Sequence, residues 1–427
     1  MNETLSGLTV AGRSRRNLLG MLAGGCLPCA LPPLWGNQRQ QRGAERPTSL
    51  ILVWLAGGAS QLETWDPHPG TAAGGETQVI PTRIPDLLIS DLYPQVAEQI
   101  DALSVIRSLV SSEGDHERAT YFVKTGYRPV PALKHPAVGA TLARMLPEDA
   151  VAIPRHISLG NSPWPARGGF LGPAYDAFKV YAPGRGIPNM RAPVQGARQD
   201  RRLQNLEILS REFRQQRQGQ VAATQHQEMV TRALRMMDSE QLQAFEIKEE
   251  SRALRDRYGD TDFGRGCLVA RRLIERGVRA VEVTLGGFDS HVNNFAVHRE
   301  RAGVLDPAFA TLIGDLRDRD LLDSTLVLCI GEFGRTPSIN PLEGRDHWPT
   351  GFSCLVGGGG LRAGLVIGQT DPEGKQKQPR DPIHVPDLYA TLFQRLGLDP
   401  RHEVVSPIGR PIRLSEGEPI ARLLGTS

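Results

Sequence analysis

This chain lacks the spacing of a structural zinc site, long runs of like charge, internal repeats and low-complexity tracts. It has only five cysteines, and two of them, Cys26 and Cys29, sit in an N-terminal leader. The remaining three, Cys267, Cys329 and Cys354, are far apart and flanked by apolar residues. Their odd number excludes a disulfide framework, and their spacing excludes a zinc finger, which leaves buried free thiols as the expectation. The net charge is only +3 and the basic residues are scattered. Without basic and aromatic residues interleaved, no nucleic-acid partner is expected. The apolar leader is interrupted by Gly24, Gly25, Pro28, Pro32 and Pro33, so it is not read as a membrane-spanning helix.

The rest of the composition, 40% hydrophobic and 23% charged over 427 residues, is that of a globular protein. The length allows one large α/β domain with an insertion, or two domains. The leader itself is informative. Ser14-Arg15-Arg16-Asn17-Leu18-Leu19 precedes an apolar, Gly/Ala-rich stretch to about Leu34, the pattern of a twin-arginine signal over residues 1–36. It predicts hand-over to the twin-arginine translocase and a periplasmic or extracellular mature protein. Ala23-Gly24-Gly25-Cys26 faintly resembles a lipoprotein box, which makes lipid anchoring at Cys26 a secondary reading. Residues 37–47 form a polar linker, and 48–427 carry the folded domain.

Four runs inside that domain read as strands, Ser49–Leu55, Leu103–Leu109, Val278–Leu285 and Thr325–Ile330, the last of them apolar throughout. Runs apolar on both faces and separated by helical segments predict an α/β fold with a predominantly parallel central sheet flanked by helices. A fifth strand is read at Phe352–Val356. Helices are expected from His116 to about Lys124, stopped at Gly126, from Gly264 to Arg276, from Leu305 to Leu321, and from Val385 to before Gly397. Residues 196–258 have no proline, many Gln, Arg and Glu, and apolar residues at helical spacing, and are read as a peripheral helical insertion.

In open α/β sheets ligands collect at the carboxyl ends of the strands. Polar groups stand there after all four runs: Ser60, Glu63 and Asp66; Asp115, His116 and Arg118; Asp289 and His291; and Glu332 and Arg335, followed by Asp346 and His347. Carboxylates mixed with imidazoles suit a divalent metal ion, zinc first, with manganese, iron and calcium as competitors. Asp289 and His291, two apart in an extended segment, point to the same side. They are expected to share one ion with His347, while Glu332, Asp346 or His116 adds a ligand or orients one.

The order strand, polar turn, strand, helix, then Asp289-Ser290-His291, Glu332-Phe333-Gly334 and Asp346-His347 resembles the alkaline phosphatase superfamily, which includes the sulfatases. The stretch Asp387-Leu388-Tyr389-Ala390-Thr391-Leu392-Phe393 through Gly397 is similar to a late sulfatase helix. More closely, Gly57-Gly58-Ala59-Ser60, Gly331-Glu332-Phe333-Gly334-Arg335-Thr336-Pro337 and Gly344-Arg345-Asp346-His347-Trp348-Pro349 behind a twin-arginine leader resemble a large exported family of unknown function assigned to that superfamily. The resemblance implies an exported hydrolase of phosphate or sulfate esters. It also marks departures. His116 stands where sulfatases place their nucleophile, Phe333 replaces a metal-binding histidine, and the first strand offers Ser60 rather than an immediate aspartate. One of the two usual metal sites is therefore damaged or rebuilt, and Asp289, His291 and His347 better preserve the other.

Two readings follow. In the first, a metal-dependent hydrolase acts on an anionic ester held by Arg118 or Arg335, with metal-bound water attacking and Ser60 as the best side-chain nucleophile. In the second, the fold is kept and the chemistry lost, leaving a metal- or glycan-binding protein of the cell envelope.

Overall fold

In the computed structural model the described residues are 48–147, 151–190, 194, 196–216 and 226–425. The leader and the expected linker lie outside them. The elements that build the domain, in chain order, begin with strands β1 (Ser49–Leu55) and β2 (Leu103–Val110). Helices α1 (His116–Thr125) and α2 (Val138–Met145) follow, then strands β3 (His156–Leu159) and β4 (Phe178–Val180). Next come helices α3 (Ala197–Gln216), α4 (His226–Met237), α5 (Arg252–Tyr258) and α6 (Asp262–Glu275). Strand β5 (Ala280–Leu285), helix α7 (Asn294–Asp318), and strands β6 (Thr325–Ile330) and β7 (Phe352–Gly358) complete the centre. Two short strands, β8 (Val366–Ile367) and β9 (Ile383–His384), lead to helix α8 (Val385–Arg395).

One nine-stranded sheet runs in the order β8-β2-β7-β6-β1-β5-β3-β4, with β9 also on β2. All four strands expected to form the centre belong to it. β1 pairs in parallel with β5 and β6, as do β3 with β5 and β2 with β8. β7 runs antiparallel to both β6 and β2, so β2 points the same way as β6. The sheet is therefore mixed but mostly parallel, and the carboxyl ends of β1, β2, β3, β5 and β6 share one edge.

Side chains alternate across that sheet and feed two cores. Ile51, Val53 and Leu55 of β1 and Val327 and Cys329 of β6 face a core closed by Leu268, Val269 and Leu273 of α6 and Leu305, Phe309 and Leu312 of α7. Leu50, Leu52 and Trp54, with Leu326, Leu328 and Ile330, face the other, closed by Phe122 of α1, Leu142 of α2 and Leu388 and Leu392 of α8. A strand buried on both faces is dominated by apolar residues, which is why β1 and β6 were readable from their composition. Cys267, Cys329 and Cys354 are buried free thiols, as expected.

Two elements differ from the sequence reading. α7 begins at Asn294, eleven residues before the expected Leu305, and carries Pro307 inside it. A proline two residues into an apolar run reads as a first-turn position, but here the helix continues through it. The segment 196–258 is only partly peripheral. Ile208 and Leu209 of α3 are exposed, whereas Met236, Ala244, Phe245, Ile247 and Tyr258 enter the first core. The Tyr258 hydroxyl donates to Asp315 of α7 at 2.9 Å.

Candidate metal centre

Four loops at the shared sheet edge deliver the site. After β2, the Asp115 carboxylate caps α1 by accepting from the Arg118 N–H at 3.1 Å, and that cap fixes His116 in the first turn. After β5 come Asp289 and His291. The loop after β6 brings Glu332, Phe333 and Arg335, and the two-residue ladder pairing Arg335 with His347 returns the chain to the same point. Close approach of these loops depends on glycine. A Cβ on Gly57, at φ +110°, would lie 2.5 Å from the Asp289 nitrogen, and one on Gly344 would lie 1.8 Å from the His291 carbonyl oxygen.

Three imidazoles and one carboxylate meet there. The Asp289 Oδ1 atom lies 3.4 Å from His116 Nε2, 3.2 Å from His291 Nε2 and 3.5 Å from His347 Nε2. His291 Nε2 and His347 Nε2 are 3.0 Å apart. In each ring the other nitrogen is already committed. His116 Nδ1–H donates to Glu332 Oε1 at 2.8 Å, His291 Nδ1–H to Asp346 Oδ1 at 2.9 Å, and His347 Nδ1–H to the Gly114 carbonyl at 2.8 Å. With Nδ1 protonated, a neutral imidazole so held turns a lone pair, not a proton, toward its neighbours. His116 Nε2 accordingly has no hydrogen-bond partner although it is buried.

Asp289 Oδ1 accepts from Arg335 at 2.7 Å, but the three Nε2 lone pairs crowd the same oxygen, an arrangement that a cation among them would relieve. Four ligands about 2.0–2.1 Å from a tetrahedral ion stand about 3.3–3.4 Å from one another, close to the separations of the three Nε2 atoms from Asp289 Oδ1. Held Nδ1–H groups are what metal-ligating histidines need to fix tautomer and ring direction. The donor set therefore fits a metal ion, with His116, Asp289 and His347 as the group that would hold it and His291 standing beside Asp289 and His347. His116, Asp289 and His347 alone already place one ligand atom each within 4.8 Å of the others.

Electrostatics of the surroundings agree. Burial pushes the Asp289 carboxyl up, but the Arg335 hydrogen bond at 2.7 Å and its charge outweigh this and hold it below the usual carboxylate range. Its side chain is 49% exposed, so the centre opens to solvent. The hydrogen bond to Glu332 raises His116, whereas burial lowers His347. The His291 hydrogen bond keeps Asp346 low.

The remaining sequence candidates are placed elsewhere. Ser60 is buried: its hydroxyl accepts from the Leu62 N–H at 3.2 Å and its own N–H donates to His298 Nε2 at 3.0 Å. The structure does not bring it to the imidazoles. Arg335 is buried too, and its guanidinium is consumed by the carbonyls of Gly57, Gly58 and Arg345 and by Asp289, so it braces the site rather than clamping a ligand. Arg118 turns to Glu113, donating at 2.7 and 3.0 Å. Glu332 and Asp346 stand behind the rings as acceptors. Glu63 and Asp66 serve other partners, Arg345 at 2.9 Å and Thr370 at 2.6 Å. Two contributors were not singled out from sequence, the Gly114 carbonyl and Trp164 beside His116, while Phe333, read there only as a replaced histidine, packs with its ring centroid 4.3 Å from that of His347. Backbone groups carry no residue signature, and Trp164 follows a strand too short to be read.

Comparison with solved structures finds distant likenesses. The lipoteichoic acid synthase LtaP from Listeria monocytogenes is 10% identical, with TM-score 0.43 over 90% of this chain and 76% of that one. The C-terminal periplasmic domain of EcEptC from Escherichia coli, in complex with Zn, is 13% identical, with TM-score 0.38 over 90% and 96%. A putative sulfatase from Bacteroides thetaiotaomicron is 10% identical, with TM-score 0.40 over 90% and 75%. No curated protein matches the chain. A family model does match, over residues 47–424, and by that match the chain belongs to the family described as "Protein of unknown function (DUF1501)".

Proposed function

We propose that this protein is an exported, zinc-dependent hydrolase of phosphate or sulfate esters built around a single metal ion. The observation that carries the reading is the convergence of three Nε2 atoms on Asp289 at tetrahedral-edge distances, each ring held from behind. Three imidazoles and a carboxylate favour zinc over calcium, which takes oxygen ligands. When bound, the ion would polarise an ester oxygen and lower the pKa of a water. The chain's own residues do the rest. Glu332, Asp346 and the Gly114 carbonyl hold the rings, Arg335 holds Asp289, and Phe333 packs against His347 and His116. With Ser60 enclosed, water rather than a side-chain hydroxyl is the nucleophile in this reading. The sequence resemblance supports the ester class, and the half-exposed Asp289 supports access for a substrate.

The second reading, a metal- or glycan-binding envelope protein without turnover, is favoured by Phe333 standing where the resembled family has a metal-binding histidine. Purified protein loaded with zinc and assayed against phosphate and sulfate monoesters separates the two. Turnover that is lost on chelation and restored by zinc supports the hydrolase; tight zinc without turnover of any ester supports the binder. Export through the twin-arginine translocase belongs to the same proposal. Arg15→Lys with Arg16→Lys leaves precursor in the cytoplasm, and unchanged export would refute it. Among the described residues no helix is long and apolar enough to cross a membrane.

A further inference from the structure

We infer that Trp164 is a specificity-determining wall of the metal centre, and that the ester taken there carries a ring on its alcohol side. The inference rests on the hydrolase reading and adds a substrate class to it. β3 runs parallel to β5, so the loop after it, from Gly160 to Ala166, opens on the edge that holds the metal ligands. Trp164 in that loop is only partly buried, and its ring lies within 9° of parallel to His116, with centroids 6.0 Å apart. His116 is thereby flanked by a flat apolar ring that is not itself one of the candidate ligands.

The loop is held from beneath by an arrangement that packing alone does not require. The Lys124 ammonium, buried in α1, donates to Glu282 in the middle of β5 at 2.8 Å and lies 4.8 Å over the Trp54 ring. It also donates to the Trp164 carbonyl at 3.1 Å and to the Ser162 hydroxyl at 3.4 Å, and that hydroxyl donates to the same carbonyl at 3.1 Å. Burying an ion pair costs desolvation that an apolar pair of similar volume avoids. What the pair adds here is directed bonds to one loop, which hold the backbone at Trp164 in place before any ligand arrives. A pre-fixed aromatic face adds binding without a further ordering cost. Flat faces favour flat partners, an aromatic ring or the C–H face of a pyranose, over an acyclic chain.

The test uses the zinc-loaded full chain, with p-nitrophenyl phosphate, glucose 6-phosphate and glycerol phosphate, and their sulfate counterparts, as probes. The quantity read is the ratio of kcat/KM for each ring ester to that for the acyclic one. Trp164→Ala lowers that ratio about tenfold, within the range of aromatic stacking, and Trp164→Phe keeps it within about threefold. The ring ester whose ratio falls further shows whether the ring is aromatic or a sugar. An unchanged ratio in Trp164→Ala overturns the inference. So does loss of zinc from that variant with all esters falling equally, which would make the indole mere packing for His116. If the wild type turns over no ester, the hydrolase reading fails, and calorimetric titration with the same phosphates decides the wall separately. Ring phosphates bound about tenfold more weakly by Trp164→Ala support it; equal affinities, or no binding to wild type, overturn it.

Discussion

Glu332→Gln tests how the centre is held. The Glu332 carboxylate is 1% exposed and accepts from both His116 Nδ1–H and the Gly57 N–H, at 2.8 and 2.9 Å. Glutamine keeps an acceptor but loses the charge that makes the imidazole a better donor of its lone pair. Loss of such an outer partner typically costs about 10–100-fold in metal affinity, equal to about 1.4–2.8 kcal/mol. No water replaces a group sealed this far inside, so the upper end, about 100-fold, is expected. Asp346 makes the equivalent bond to His291 at 2.9 Å, but its side chain is 60% exposed. Solvent can take its place, and Asp346→Asn should cost about tenfold or less. Competition titration of zinc against a chromophoric chelator measures both, with circular dichroism confirming the fold. Equal affinities for wild type and Glu332→Gln would refute the reasoning, and so would a larger loss at Asp346 than at Glu332.

Three further outcomes follow from the same geometry. Arg335→Lys should lower stability by about 2–6 kcal/mol in denaturant titration, because the Gly58 and Arg345 carbonyls lose their donors inside the protein at about 1–3 kcal/mol each. Gly344→Ala should weaken zinc binding, since its Cβ would overlap the His291 carbonyl at 1.8 Å and push the two ligand loops apart; affinity within twofold of wild type would contradict this. Bonds from Arg118 and then Arg128 hold the Glu113 carboxyl below its usual range. Its contribution is therefore complete above the unfolded value near about 4.3 and fades as pH falls through the lower folded value. Glu113→Gln should therefore be less stable than wild type above about pH 4.3, with the difference shrinking as pH falls through the lowered folded value; a difference that does not change with pH would contradict this.

Much of the fold was legible because strands buried on both faces are dominated by apolar residues, as β1 and β6 are. Ser49–Leu55 and Thr325–Ile330 fall where they were read, and Gly126 ends α1 in the left-handed conformation at φ 77°. α7 was misjudged at its start because Pro307 mimics a first turn. The burial of Ala244, Phe245 and Ile247 was missed because short turns of helix carry no periodicity long enough to read. For the site, chemistry was legible and geometry was not. Asp289, His291 and His347 announce themselves as ligand types at strand ends, and His116 stood among the alternatives. Whether a carboxylate binds an ion or braces a ring depends on a distance of a few ångströms that no spacing records, so Glu332 and Asp346 stayed open. Arg335 and Ser60 looked available because their motif is rich in glycine, and only packing shows that both are enclosed.

The central claim is one metal ion held by three imidazoles and one carboxylate. X-ray absorption at the metal edge, with elemental analysis of the same purified sample, tests it most directly. The account predicts one zinc per chain, with nitrogen and oxygen ligands at about 2.0–2.1 Å, multiple-scattering features from three imidazoles, and loss of the signal in His347→Ala. Two ions per chain, a sulfur shell near about 2.3 Å, or a folded His347→Ala holding zinc as tightly as wild type would contradict it.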